Sequence, residues 1–167
     1  MSRLVRFVCC LPILLLHLHV KEVNAKGICL YLSEKRASWF EALAVCQSYR
    51  MCLADLSTEV TLIQMEEKWN PDDHEYWFGL NSHEKFTYRY VSNNKSIEYA
   101  PRNSKLASEG QCAFVKHERG FYKFASADCF DHKRFICSRT EMCDGENLRH
   151  GVSHCSISEE EKQVVAL

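Results

Sequence analysis

The sequence predicts an α+β domain held by disulfides, with two helices, short antiparallel strands and one long loop. Three observations carry this. Two helix-periodic segments come first, a run of short strand-like segments follows, and eight of the ten cysteines lie beyond an apolar leader. Helices that precede the strands, rather than alternate with them, mark domains whose helices sit apart from an antiparallel sheet.

The leader comprises residues 1–25. Arg3 and Arg6 give a basic start, Phe7 to Leu16 an apolar stretch too short to span a bilayer, and Val23-Asn24-Ala25 the kind of site that signal peptidase accepts. This predicts a cleaved signal and a secreted, extracellular product. An uncleaved anchor would need a longer apolar run than His17, His19 and Lys21 permit. Residues 26–167 then carry 18 Lys and Arg against 21 Asp and Glu, a formal charge of −3. That is no nucleic-acid footprint, and no second apolar run is long enough for a membrane helix. Neither a nucleic-acid partner nor membrane insertion is expected, and oligomeric state is open.

Ile28 to Leu32, "ICLYL", is rich in β-branched and aromatic residues and predicts a strand. "SWFEALAVCQSYR" predicts an amphipathic helix. Ser38 and Glu41 have capping-box spacing, and Trp39, Ala42, Leu43 and Cys46 fall at i, i+3, i+4, i+7, which turns Cys46 inward. "CLADL" predicts a second short strand. "STEVTLIQMEEKW" predicts a second helix, opened by Ser57 or Thr58, with Val60, Ile63 and Trp69 inward. "NPDD" follows as a turn, and then "EYWFGL", "FTYRYV", "QCAFVKH", "GFYKFA" and "KRFICS" as short strands. The connection from Ser92 to Gly110 is long and polar, as functional loops often are. The segment from 140 to 167 is expected as an extension with a small cysteine-bounded loop and an acidic tail.

Cys29, Cys46, Cys52, Cys112, Cys129, Cys137, Cys143 and Cys155 follow the leader. An even set in an exported chain argues for disulfides, but eight cysteines allow 105 pairings.

"SWFEALAVC" with "LADL", "YWFGL", "QCAFV" and "DCFDHKRFIC", over roughly residues 27–138, resemble the C-type lectin-like domain family in the single-domain secreted form common among invertebrates. The resemblance implies that fold for residues 26–139, with Cys46 bridged to Cys137 and Cys112 to Cys129. Of the four cysteines left, Cys29 is then expected with Cys52, and Cys143 with Cys155 in the extension. A zinc site from Cys143, His150, His154 and Cys155 is the weaker alternative there.

In sugar-binding members, calcium beside the long loop touches sugar hydroxyls, and such a hard cation needs six to eight oxygens. The family draws them from Glu-Pro-Asn or Gln-Pro-Asp in the loop, an acid near a later cysteine, and Trp-Asn-Asp before the next. Here the last becomes Phe124-Ala125-Ser126, the loop offers only Pro101-Arg102-Asn103, and Gly110-Gln111 stand before Cys112. From Asn93 to Cys129 the acids Glu98, Glu109, Glu118 and Asp128 face Lys95, Arg102, Lys105, Lys116, Arg119 and Lys123. A cationic surface repels calcium. The usual calcium and sugar site is therefore expected to be absent, with no cofactor.

The resemblance then implies an extracellular recognition module that binds a carbohydrate, a glycoconjugate or a protein. Glu98, Tyr99, Arg102 and Asn103 are the candidate contacts in the loop. Asn94-Lys95-Ser96 is an N-glycosylation sequon at that loop's edge. Two alternatives stand beside this: a calcium-dependent lectin with displaced ligands (Glu98, Asn103, Glu109, Asp128), and a structural or matrix-associated protein. His74, His83, His117 and His132 are scattered, and no histidine pairs with an activated serine or free cysteine, so no enzyme is expected.

Overall fold

The computed structural model describes residues 29–66, 73–83, 85–107 and 110–148. The signal expected at 1–25, Trp69, the turn at 70–72, Glu109, His150, His154, Cys155 and the acidic tail lie outside the described residues.

Helix α1 spans Trp39–Ser48. Ser38 caps it as the spacing requires: its hydroxyl accepts from the Glu41 N–H at 3.3 Å, and the Glu41 carboxylate accepts from the Ser38 N–H at 2.8 Å. Trp39, Ala42, Leu43 and Cys46 are its buried face, as the periodicity predicts. Helix α2 spans Glu59–Glu66, and the Thr61 N–H donates to the Thr58 hydroxyl at 3.1 Å. Its inward residues are Leu62 and Met65, whereas Val60 and Ile63 are exposed, which corrects the expected face. The segment carries two apolar pairs three residues apart, out of phase with each other. Spacing cannot choose between them, and packing selects the pair that fills the core.

Around the helices run β1 (Leu30–Leu32), β2 (Cys52–Leu53), β3 (Glu75–Asn81), β4 (Arg89–Tyr90), β5 (Cys112–Glu118), β6 (Phe121–Ala127) and β7 (Arg134–Ser138). The sheet order is β1-β7-β3-β5-β6, with β2 also on β7 and β4 on β3. Among the described strands only β3 and β7 pair in parallel. The "FTYRYV" strand shrinks to two residues, Arg89 and Tyr90, and Phe86 ahead of it adopts a left-handed φ of 56°. Gly79 in β3 is required by contact: a Cβ there would lie 2.7 Å from the Leu53 carbonyl oxygen. The middle of "YWFGL" is therefore a crossing point of two backbones.

The core has two parts. One gathers Trp39, Leu43, Trp77, Phe114 and Phe135 beneath α1, and the other gathers Leu62, Met65, Phe78, Leu80 and Phe124 on the side of α2. Trp39 Nε1–H donates to the Phe78 carbonyl at 2.9 Å and Trp77 Nε1–H to the Ala37 carbonyl at 3.0 Å, so each indole is buried with its polar atom satisfied.

Cys46–Cys137 and Cys112–Cys129 are bonded as the resemblance implies. The third bridge corrects the expectation: Cys52 bonds Cys143, which overturns both Cys29–Cys52 and Cys143–Cys155 and excludes Cys143 as a zinc ligand. The reason is the path after β7. Cys52 lies opposite Ser138 in the sheet, and five residues later the chain folds back as a hairpin of β8 (Met142–Cys143) and β9 (Glu146–Asn147). The Asp144 N–H donates to the Val91 carbonyl at 2.9 Å, which holds the hairpin against the domain. Cys143 is fully buried. The start of the expected extension thus belongs to the core.

Candidate functional site

Glu98, Arg102 and Asn103 are exposed, and Tyr99 is half-buried. Asn103 has a φ of 64° in a tight turn where the Ser104 N–H reaches the Pro101 carbonyl at 3.2 Å. Tyr99 packs on the second core rather than standing free. Burial pushes its hydroxyl pKa up, and the carboxylates of Glu59 and Glu66 on α2 add to the effect. Among the described residues no hydrogen bond or ion pair joins any two of these four.

Beyond them the loop folds onto the outer edge of β6. The Lys105 N–H donates to the Phe124 carbonyl at 2.8 Å, the Phe124 N–H to the Ser104 hydroxyl at 2.9 Å, and the Ala107 N–H to the Ser126 hydroxyl at 2.8 Å. Lys105 and Ala125 form a parallel bridge. The Ser126 hydroxyl also donates to the Ala107 carbonyl at 3.3 Å. The Tyr88 hydroxyl closes the far end on the carbonyls of Ala107, at 3.0 Å, and Gly110. Serine suits this role, since one short side chain supplies both a donor and an acceptor to backbone.

These residues do not fit a calcium ion. Ser126, where the family places an acid or amide, spends its hydroxyl on Ala107. Gly110, beside the position where an acid is usual, has no room for a side chain: a Cβ would come within 2.5 Å of the Ala127 nitrogen and 2.7 Å of the Ser126 carbonyl carbon. Asp128 accepts from the Phe130 N–H at 2.9 Å in a local turn. Among the described residues no three His, Cys, Asp or Glu side chains gather as a metal site.

A second region went unnoticed in the sequence because its parts are far apart along the chain. A groove of about 450 Å³ opens between α1, the β3–β4 connection and the β8–β9 turn. Phe40, Asn81, His83, Lys85, Arg89, Asn94 and Asp144 are among the residues that line it. Phe40 meets His83 edge-on at 5.1 Å and Phe130 at 5.5 Å, and His83 Nδ1 lies 2.9 Å from Gln111 Oε1. Lys85 Nζ donates to Asn94 Oδ1 at 2.6 Å, and the Arg89 guanidinium to the Asn94 carbonyl at 2.9 Å. Asn94 is exposed, with a φ of 58°. The sequon residue therefore stands at this groove as well as at the start of the long loop.

Residues 35–139 match the family model of the lectin C-type domain. The chain belongs to the C-type lectin domain family. Lymphocyte antigen 75 of Mesocricetus auratus is 27% identical over 109 residues, covering 61% of this chain but only 6% of that much longer protein. Among solved structures, the C-type lectin domain of murine dendritic cell inhibitory receptor 2, in complex with N-glycan, superposes with a TM-score of 0.60 at 15% identity over 69% of this chain and 92% of that one. Ovocleidin-17, a major protein of the Gallus gallus eggshell calcified layer, does so with a TM-score of 0.58 at 22% identity over 71% and 95%. At such identities these likenesses speak for the fold alone.

Proposed function

We propose that this protein is a secreted, non-enzymatic recognition module that binds an extracellular glycan or glycoprotein without a calcium ion in the contact. The observation that carries this reading is the closure of the long loop on β6. Ser104, Lys105 and Ala107 occupy the edge beside Ser126, and Gly110 leaves no space for an acidic ligand residue. The Ser104 hydroxyl and the Lys105 and Ala107 amides are spent on β6, so recognition falls to side chains on the surface. Glycan binding fits the family to which residues 35–139 belong, and the murine dendritic cell inhibitory receptor 2 domain is itself in complex with N-glycan.

A glycan array probed with the secreted protein, with and without a chelator, tests the reading. Binding that ignores the chelator supports it. Retention of neutral sugars that vanishes with the chelator contradicts it and favours a lectin with displaced ligands.

A further inference from the structure

We infer that the groove between α1, the β3–β4 connection and the β8–β9 turn binds an acidic saccharide, with Lys85 and Arg89 meeting its carboxylate or sulfate groups. The inference deepens the proposed function, resting on its claim of metal-free glycan recognition, and names the site and the ligand class. Charge decides the class. Lys85 and Arg89 line the groove together with His83 and Phe40, and among the described residues Asp144 is its one lining carboxylate. Neither cation makes an ion pair among the described residues; each donates only to Asn94. An arriving anion would therefore meet two cations against that one described carboxylate, and Arg can grip a carboxylate or sulfate with two donors.

The rest of the lining separates a saccharide from an acidic peptide. Phe40 offers an apolar ring to the C–H face of a sugar, while the amides of Asn81 and Asn94 give donors and acceptors of the kind hydroxyls need. A peptide is commonly held by adding a strand to a free edge. The β4 edge is not free for this: β4 has β3 on one side, and on the other the Tyr90 N–H donates to the Lys95 carbonyl at 2.9 Å and the Ile97 N–H to the Tyr88 carbonyl at 3.3 Å. The volume of about 450 Å³ suits a small stretch of saccharide.

The test is calorimetric titration of the full secreted chain with a chondroitin sulfate hexasaccharide, its desulfated form and a hexaglutamate peptide. The sulfated saccharide should bind tightest, and its dissociation constant should rise with salt. Lys85→Gln and Arg89→Gln should each weaken it about tenfold, the loss of one charge-assisted hydrogen bond. Asp144→Asn, which keeps a residue tolerant of its left-handed φ of 50°, should tighten binding two- to threefold, roughly what removal of one repelling surface charge is worth. Unchanged affinity in both cation variants, no binding, or equal binding of hexaglutamate would overturn the inference. Repeating the titration with a chelator separates the two readings. Chelator-sensitive binding sinks the metal-free function, whereas chelator-insensitive binding untouched by the variants sinks only this groove.

Discussion

Replacing Cys52 and Cys143 by Ala removes a bridge whose worth depends on the bridge beside it. Each of Cys52–Cys143 and Cys46–Cys137 spans 91 positions, and alone either would remove about 4.6 kcal/mol of unfolded-chain freedom in the chain-entropy model. They are not independent. Cys46 and Cys52 are six positions apart, and so are Cys137 and Cys143. With Cys46–Cys137 intact, the second bridge closes a ring of only about 14 residues, worth about 3 kcal/mol. Urea unfolding of the Cys52→Ala, Cys143→Ala variant should therefore show a loss near 3 kcal/mol, and its Tm should fall by about 12 °C. A loss near 5 kcal/mol would mean that the bridges act separately. A loss under about 1 kcal/mol would mean that the closed ring does not constrain the unfolded chain, and either result refutes the reasoning.

Ser126→Ala should cost about 1 kcal/mol, because one hydroxyl serves both backbone groups of Ala107, and the Ala107 amide should exchange with solvent faster; unaltered exchange would argue against the loop clamp. The Tyr90 hydroxyl is buried without a hydrogen-bond partner among the described residues, and burial first, then the Asp55 carboxylate, pushes its pKa up. Tyr90→Phe should leave stability unchanged or raise it by about 1 kcal/mol, and a loss of that size in urea unfolding would reveal an unseen partner. Hydrogen bonds from the Ser38 N–H and hydroxyl hold the Glu41 carboxyl below its ordinary pKa of 4.5. A lowered folded pKa gives stability that is present above the unfolded value and lost as pH falls through the folded one. Glu41→Gln should flatten the urea midpoint against pH below 4.5, and an identical slope would contradict the capping account.

The start and buried face of the first helix were legible because three local signals agree: the Ser38–Glu41 box, the apolar stripe, and Cys46 on that stripe; its end at Ser48, two residues short of Arg50, was not. The second helix was legible in place but not in phase, since Val60 with Ile63 and Leu62 with Met65 are equally good local patterns. Asp144-Gly145 is a pair that favours a tight hairpin, so the turn could be read, but the Cys52–Cys143 bridge was hidden because nothing near Cys143 shows that this hairpin rests on Val91. The missing acids at Ser126 and Gly110 could be read directly. What occupies their place could not, because the contact of Ala107 with Ser126 joins residues 19 apart through a loop without periodicity. The groove was illegible for the same reason, for Phe40, Lys85 and Asp144 meet only after folding.

Calorimetric titration of the purified chain with calcium bears most directly on the claim that the loop's closure on β6 has replaced a metal site. No stoichiometric uptake should appear at calcium concentrations below about 1 mM, the weak end of extracellular calcium modules. Uptake of one ion with micromolar affinity, lost when Glu98 or Asp128 is changed to Ala, would contradict it.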